Sequence, residues 1–346
     1  MMLINLSLAP EAIGDISKAR KGIAARTLQM HLFEMIRRFC GVVQMNDSEA
    51  LKLVQFISSE ALTTDEKKNW REFLIYLRKQ RRFTTATPPI DTDFVKLTDP
   101  MIVASFRSVA PILAIIPEVD YESIFTDEDG VHSASDDVEF VTSVTASSSA
   151  LVQKLVSMVD DGVFSAGTPR DVVWEDLFAP LARSSHEIVI YDSYLYSEMW
   201  RRSSDSTPSK EHLAWFVDKV DSSGGAVRSI SLVGAAGDSR IGGLPSDPAA
   251  IADMLFEKFD GRLTGIDELN CFVVANRRIM HHDRHIGFSS GQVIDLPAGL
   301  DRLSRPRLRD VMNFSYRYTP SSVREFRRTY DSAVEGSSTT LFTIVK

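Results

Sequence analysis

From about residue 170 onward the chain alternates short apolar runs with longer amphipathic segments, and this alternation restricts the fold more than any other feature. Apolar runs typical of buried β-strands lie at 187–195, 227–236 and 269–277. Segments with helical periodicity lie at 171–185, 211–223 and 247–259. Strands that are separated by helices of this length pair in parallel, with the helices on the faces of the sheet. We therefore predict an α/β fold with a mostly parallel sheet for this part of the chain.

The first 160 residues show a less regular pattern in which helices predominate. Apolar residues recur at helical spacing within 26–40, the sequence 63-TTDE-66 has the pattern of a helix capping box, and the run 111–119 is typical of a buried strand. A chain of 346 residues is long for a single hydrophobic core. We therefore predict a helix-rich α/β domain over 1–160, a second domain over 168–335 and a C-terminal tail over 336–346.

Targeting signals and disulfides are not evident in the sequence. No window reaches the roughly 18 apolar residues that a membrane-spanning helix needs. No positive charge precedes the short apolar run near the N-terminus, as it would in a signal peptide. The two cysteines, Cys40 and Cys271, are far apart and predict neither a disulfide framework nor a zinc site. We expect a cytoplasmic protein with no transmembrane segment.

The charges of the chain are strongly segregated, although its formal net charge of −8 would by itself argue against anionic partners. Residues 277–328 contain eleven arginines, no lysine and five acids, whereas residues 118–139 contain nine acids and no lysine or arginine. Because arginine can bind phosphate through two parallel hydrogen bonds, the first segment favours a phosphate-bearing partner, with nucleic acid expected before lipid. The candidate ligand-binding arginines are Arg302, Arg305, Arg307 and Arg309. The alternative is that these charges neutralise the acidic segment.

Two polar clusters follow predicted strands, which is where ligands collect in open α/β sheets. Asp192 and Tyr194 lie at the end of the first strand of the α/β alternation, and the sequence 281-HHDRH-285 follows the third strand. Since the carboxyl ends of parallel strands lie at the same edge of a sheet, we expect these clusters to be close together.

Within the second cluster, strand alternation would direct side chains to two opposite faces. His282 and Arg284 share one face, and they combine a nucleophile or proton shuttle with a guanidinium that can hold phosphate oxygens. The opposite face would carry His281, Asp283 and His285. These residue types could ligate a transition metal, but a fourth ligand is not evident, and we expect neither a metal nor another cofactor. A second alternative is that Asp283 and Arg284 form structural ion pairs.

The order of these segments resembles the phospholipase D-like domain, and more narrowly the type found C-terminal to microtubule-interacting-and-trafficking modules. The resemblance covers about residues 168–330 and rests on three short segments: Asp192-Ser193-Tyr194, His282-Asp283-Arg284 followed by Gly291, and Gly299-Leu300-Asp301. It implies a phosphate-recognising α/β domain whose candidate catalytic residues are His282, Arg284 and Asp192. The candidate ligand-binding residues that it adds are Tyr194, Asp283, His285 and Asp301. Residues 1–150 do not resemble the microtubule-interacting-and-trafficking module.

The chain departs from the pattern of catalytic phospholipase D-like enzymes in two ways. Those enzymes carry His-x-Lys followed by an aspartate, twice, so that two histidines face one phosphodiester. Here Arg284 replaces the lysine, Ser289 stands where the aspartate would fall, and no second His-x-Lys occurs in the chain. Arginine and lysine are not interchangeable in a tuned site. A working site would therefore need a homodimer that brings two copies of His282 together.

These features support three functions. The first, which we expect, is a phosphate-ligand or nucleic-acid binding or interaction module with a degenerate phospholipase D-like site. A protein partner is the alternative to the phosphate-bearing ligand. The resemblance further implies a role in a prokaryotic phage-defence or stress system. The second is a homodimeric, metal-independent phosphodiesterase or nuclease that uses His282. The third is a metal-dependent nuclease in the N-terminal domain, with acids such as Asp91, Asp93, Asp120 and Glu122.

Overall fold

The computed structural model describes residues 3–19, 23–87, 100–125, 130–203, 212–225, 227–237, 246–275, 280, 284–336 and 339–346. The chain divides into two compact units, Met2–Met158 and Val159–Lys346. Each unit contains a β-sheet together with helices, so the predicted α/β class is confirmed.

In the described part of the N-terminal unit, helices connect most of the strands. The strands are β1 (Ile4–Leu8), β2 (Cys40–Gln44), β3 (Phe83–Thr85), β4 (Ile112–Ile115), β5 (Val131–Ser135) and β6 (Val138–Val141). The helices are α1 (Pro10–Ala19), α2 (Ile23–Phe39), α3 (Asp47–Ser58), α4 (Thr64–Lys79), α5 (Pro100–Arg107), α6 (Glu118–Ile124) and α7 (Ala150–Asp161). The helix predicted within 26–40 is α2, and the strand predicted within 111–119 is β4.

These strands form one sheet, the N-terminal sheet, in the order β3-β2-β1-β4-β6-β5. Neighbouring strands run parallel except β5, which pairs antiparallel with β6. β1 lies inside the sheet, with Leu6 opposite both Val42 of β2 and Leu113 of β4. Along the chain, β2 and β3 are therefore added on one side of β1, and β4 then pairs with the other side of β1.

The capping box predicted from 63-TTDE-66 starts α4. The side chain of Thr63 accepts a hydrogen bond from the backbone N–H of Glu66, and the Glu66 carboxylate accepts one from the backbone N–H of Thr63 at 2.8 Å. The apolar face of α4 places Trp70 and Phe73 against Phe33 of α2, with ring centroids 4.6 and 4.1 Å apart. These buried rings join the two helices, since aromatic pairs at such distances stabilise beyond their buried area.

The C-terminal unit begins with short elements and then alternates strands and helices. Its described strands are β7 (Val163–Phe164), β8 (Glu187–Tyr191), β9 (Ser229–Ala235), β10 (Glu268–Val274), β11 (His285–Phe288), β12 (Gln292–Asp295), β13 (Met312–Asn313), β14 (Ser315–Arg317) and β15 (Thr339–Val345). Its described helices are α8 (Arg170–Val173), α9 (Ala179–Arg183), α10 (Leu195–Ser203), α11 (His212–Ser222), α12 (Pro248–Phe259) and α13 (Pro320–Val334). A π-helical turn, Trp174–Phe178, joins α8 to α9, and Gly299–Leu303 forms a 3-10 helix.

The large sheet of this unit, the C-terminal sheet, is mixed and not mostly parallel as the sequence predicted. Its order is β14-β12-β11-β8-β9-β10-β15. β8, β9 and β10 run parallel because α10, α11 and α12 provide the crossovers, as expected from the alternation. β11, β12, β14 and β15 each pair antiparallel with their neighbours. The prediction erred because the chain beyond β10 returns through hairpins and not through further strand–helix units.

The C-terminal segment 336–346, predicted as a tail, contains strand β15. β15 pairs with β10 along its whole length, from Thr339 opposite Val274 to Val345 opposite Glu268. Ile344 is 2% exposed, so one side of the strand takes part in the core. The apolar and β-branched residues of TTLFTIV explain the strand, since they fit a half-buried sheet position.

Candidate functional site

Arg284 lies immediately before β11, and its guanidinium is held between two carboxylates. Its Nε is 3.5 Å from Oδ1 of Asp192, and its Nη1 is 3.7 Å from Oδ2 of Asp301. The guanidinium also lies over the ring of Tyr194, 4.8 Å from the ring centroid. Only 17% of the Arg284 side chain is exposed. The structure thus brings together four residues that the sequence predicted to belong to one site.

Asp192 reaches this position because it follows directly on β8, at the carboxyl end of the parallel strands. Its backbone N–H donates to the carbonyl of Val233 in β9 at 3.0 Å, which extends the strand pairing by one residue. Its Oδ1 accepts the backbone N–H of Tyr194 at 2.8 Å. This local bond is an aspartate turn, and it fixes the ring of Tyr194 beneath Arg284.

Asp301 connects this network to α11. Its Oδ1 is 3.2 Å from Nε2 of His212, a side chain that is 3% exposed at the start of that helix. Sequence reasoning missed His212 as a site residue. Its only signal was a histidine at the beginning of an amphipathic helix, and its partner Asp301 is remote in sequence.

Gly299 allows the close approach of this network. Its φ is +63°, and a Cβ at this position would lie 2.7 Å from Nη1 of Arg284 and 2.9 Å from Oδ2 of Asp192. Real Cβ atoms essentially never lie this close to another heavy atom, so the side chains of Arg284 and Asp192 would have to shift. A positive φ adds strain for a residue with a Cβ. Both space and backbone conformation therefore favour glycine here.

His285, a predicted ligand-binding residue, lies in a different environment from Arg284. Its Nδ1 is 2.5 Å from Oδ1 of Asp295, the residue directly opposite in β12. Its ring packs at 5.7 Å from Phe326 of α13, and the side chain is 7% exposed. Asp295 also forms an ion pair with Arg317. Consecutive residues of a strand point to opposite faces, which explains why His285 belongs to the packing of α13 against the sheet.

The segment 305–309, which we call the arginine segment, follows the 3-10 helix. It bends at residues 305, 306 and 309 and is joined to residues 167–170 by an isolated antiparallel bridge between Arg307 and Pro169. The backbone N–H of Arg170 donates to the carbonyl of Pro306, and the N–H of Leu308 donates to the carbonyl of Thr168, both at 2.9 Å. The N–H of Gly167 in turn donates to the carbonyl of Leu308 at 2.8 Å.

The predicted ligand-binding arginines differ in their partners. Arg302 forms an ion pair with Asp310 at 2.5 Å, and Nη1 of Arg307 donates to the carbonyl of Gly167 at 3.1 Å. Arg305 and Arg309 are exposed, and their side chains form no ion pair or hydrogen bond with the described residues. Arg305, Arg307 and Arg309 are thus exposed and form no ion pair with the described residues, and the neighbouring Asp310 pairs with Arg302.

Several predicted residues are outside the described part of the chain. His281, His282 and Asp283 are among them, so the pairing of His282 with Arg284 stays a prediction. Asp91 and Asp93 also lie outside it, whereas Asp120 and Glu122 are exposed residues of α6. Within the described ranges, no group of three or more histidine, cysteine, aspartate or glutamate side chains is arranged to hold a metal ion.

The chain matches no protein-family model, and no curated protein sequence matches it at a significant level. No helix in the described ranges is both long and apolar enough to cross a lipid bilayer.

The geometry divides the site into two parts with different chemistry. Around Arg284, the carboxylates of Asp192 and Asp301 outnumber the one described guanidinium, so this network chiefly fixes the ends of β8 and α11 relative to the 3-10 helix. The guanidinium donates no hydrogen bond to a described residue, and its ion-pair distances exceed those of a charge-assisted hydrogen bond. The arginine segment, in contrast, offers charge that is not neutralised and is open to solvent.

Proposed function

We propose that the C-terminal unit binds a phosphate-bearing polymer, namely a nucleic acid, through the arginine segment. The observation that supports this proposal is that Arg305, Arg307 and Arg309 are exposed, while the backbone of the same segment is hydrogen-bonded to residues 167–170. The resemblance to phospholipase D-like domains supports phosphate recognition, and its implied setting in phage defence or stress response belongs to the same proposal.

The exposure of the side chains supports several contacts. Leu308 is 2% exposed and points into the unit, whereas Arg305, Arg307 and Arg309 are all exposed. Three guanidiniums within five residues are therefore open to solvent.

The number of these arginines favours a polymer over a single phosphate. Three exposed guanidiniums lie within five residues of the chain. A small anion would need only one forked guanidinium. A nucleic-acid strand presents successive phosphates that several arginines can contact together.

The anchoring of the backbone lowers the entropic cost of binding. The hydrogen bonds of Pro306 and Leu308 to residues 168–170 fix the segment before any ligand arrives. Preorganised groups lose less conformational freedom on association. The arginine side chains still need to be ordered, which is why we expect moderate affinity with strong dependence on salt.

The test is binding of labelled single-stranded and double-stranded oligonucleotides to the full chain at several salt concentrations, followed by fluorescence anisotropy. The variant Arg305→Gln/Arg307→Gln/Arg309→Gln is compared with the control Arg262→Gln/Arg324→Gln/Arg328→Gln. The control removes the same charge from other exposed arginines of the C-terminal unit. We expect the first variant to reduce the slope of log K against log salt by about 2–3, and the control to change it much less.

Three outcomes would contradict the proposal. One is the absence of binding to every oligonucleotide at low salt. Another is an equal loss of affinity in both variants, which would mean that net charge and not the arginine segment determines binding. The third is retention on anionic liposomes together with no binding to nucleic acid, which would assign the segment to a membrane surface.

A further inference from the structure

Strand β15 forms one edge of the C-terminal sheet. Its inner side pairs with β10 over seven residues, and on its outer side no strand of the described chain pairs with it. An open edge presents unpaired N–H and C=O groups, and proteins usually protect such edges with charges, prolines or bulges. The sequence TTLFTIV of β15 contains none of these residues and pairs with β10 in a continuous register.

The hydrogen bonds to β10 determine which backbone groups point outwards. The N–H of Lys346 donates to the carbonyl of Asp267 at 3.0 Å, so this opposite pair is a hydrogen-bonded one. Hydrogen-bonded and non-hydrogen-bonded pairs alternate along antiparallel strands. Residues of even number in β15 are therefore bonded to β10, and the N–H and C=O groups of Leu341, Thr343 and Val345 point away from it.

The side chains of the same residues are also exposed. Leu341 is 51% exposed and Val345 is 61% exposed, and both lie on one face of the sheet together with Thr343, because alternate residues share a face. Two large aliphatic side chains thus stand next to an open backbone edge. Ile344, of the opposite parity, is buried.

We propose that β15 pairs antiparallel with β15 of a second copy of this chain, about a two-fold axis at Thr343. In this register Leu341 of one copy lies opposite Val345 of the other, and Thr343 lies opposite itself. Each of these pairs joins residues whose backbone groups point outwards, so every pair can exchange two hydrogen bonds. The two C-terminal sheets become one continuous sheet across the axis.

The argument for a second copy is that the strand is complementary to itself. Its outward positions are symmetric about Thr343, and the symmetric register forms two aliphatic cross-strand pairs, each contributing about 0.2–1 kcal/mol. No charged side chains are brought opposite each other, since residues 339–345 carry no charge. A register centred on Phe342 would instead place Thr339 opposite Val345, although the N–H of Thr339 already donates to the carbonyl of Gly336 at 2.9 Å.

The experiment places charge on the two-fold axis of the full chain. Thr343→Lys and Thr343→Glu each bring like charges directly opposite one another, whereas a mixture of the two variants brings opposite charges together. We expect the wild type to sediment as a dimer at tens of micromolar, each variant alone as a monomer, and the mixture as a heterodimer. Ser315→Lys and Ser315→Glu, at an exposed position of the other edge strand β14, serve as controls and should leave the dimer intact.

Amide hydrogen exchange gives a second readout that does not depend on the variants. In the wild-type dimer the amides of Leu341, Thr343 and Val345 should be protected from exchange. After dilution to the monomer, these three amides should exchange faster than the even-numbered amides of β15, which stay bonded to β10. A monomer at all concentrations, open-ended assembly, or a dimer that survives both Thr343 variants would overturn the proposal. Failure of the mixture to associate would overturn the register centred on Thr343.

Discussion

The α-carbon of Gly299 lies so close to the guanidinium of Arg284 that a methyl group on it would be 2.7 Å from Nη1. The same methyl group would be 2.9 Å from a carboxylate oxygen of Asp192. The absence of a side chain at this one glycine therefore allows the 3-10 helix to come close to the end of β8, and the charged network depends on that approach.

The first prediction concerns this close approach. Gly299→Ala should lower the free energy of unfolding by about 2–4 kcal/mol, because it adds a clash in a packed site to the strain of a positive φ. Gly224→Ala is a matched control, since Gly224 also has a φ of +63° but has no heavy atom within 4 Å of the added Cβ. In the control, only the strain of the positive φ should lower the free energy of unfolding, by about 1 kcal/mol. Urea unfolding of both variants measures the difference, and equal losses would show that the contact with Arg284 does not matter.

The second prediction concerns the coupling of Arg284 to Asp192. Arg284→Gln should lower the free energy of unfolding by about 1–3 kcal/mol, because two partly buried carboxylates lose their counter-charge. In the background of Asp192→Asn the same change should cost about 1 kcal/mol less. A double-mutant cycle in urea gives this coupling. Additive effects within error would mean that the pair at 3.5 Å contributes nothing to stability.

The fold could be predicted from local pattern where strands and helices follow one another in sequence. The apolar runs of β8, β9 and β10 and the capping box at Thr63 needed only neighbouring residues. The pairing of β15 with β10 could not be predicted, because a short run at the end of the sequence carries no information about a distant partner. The antiparallel pairings of β11 with β8 and of β14 with β12 join segments that are distant in sequence, so they could not be predicted either.

The site was predictable to a similar extent. The grouping of Asp192, Arg284 and Asp301 could be predicted because the order of the motifs places the first two next to strands. His212 was missed because its role depends on a contact with Asp301 that only the folded chain creates. The resemblance implied a ligand-binding role for His285, but its side chain contacts Asp295 and Phe326.

The third prediction concerns pH and rests on Asp221 of α11. Burial acts to raise the pKa of Asp221, but hydrogen bonds from the Thr264 hydroxyl and from the backbone N–H groups of Ile266, Gly265 and Thr264 outweigh it and lower the pKa below its ordinary value. A carboxylate whose pKa is lowered by folding stabilises the protein above its unfolded pKa, and this stabilisation is lost as the pH falls through the folded pKa.

Asp221→Asn should therefore destabilise the protein by about 1 kcal/mol at neutral pH and have a smaller effect in strong acid, where the wild-type carboxyl is protonated. Chemical unfolding at neutral pH and near the folded pKa measures this difference. Asp253→Asn, at an exposed position of α12, is the control and should show little effect at either pH. A loss of stability in Asp221→Asn that is the same at both pH values would contradict the prediction.

The strand order of the N-terminal sheet has a consequence for the chain while it is being made. β1, β2 and β3 neighbour one another and are complete once residue 85 has left the ribosome, whereas β4 begins at residue 112. Until then the hydrogen-bonding edge of β1 that later pairs with β4 has no partner strand, although this edge lies in the interior of the finished sheet. A nascent chain stalled between these two residues would thus lack the carbonyl groups of Pro111 and Ile115, which accept the N–H groups of Asn5 and Ala9 in the finished protein. We expect chaperones to be recruited at that stage of translation.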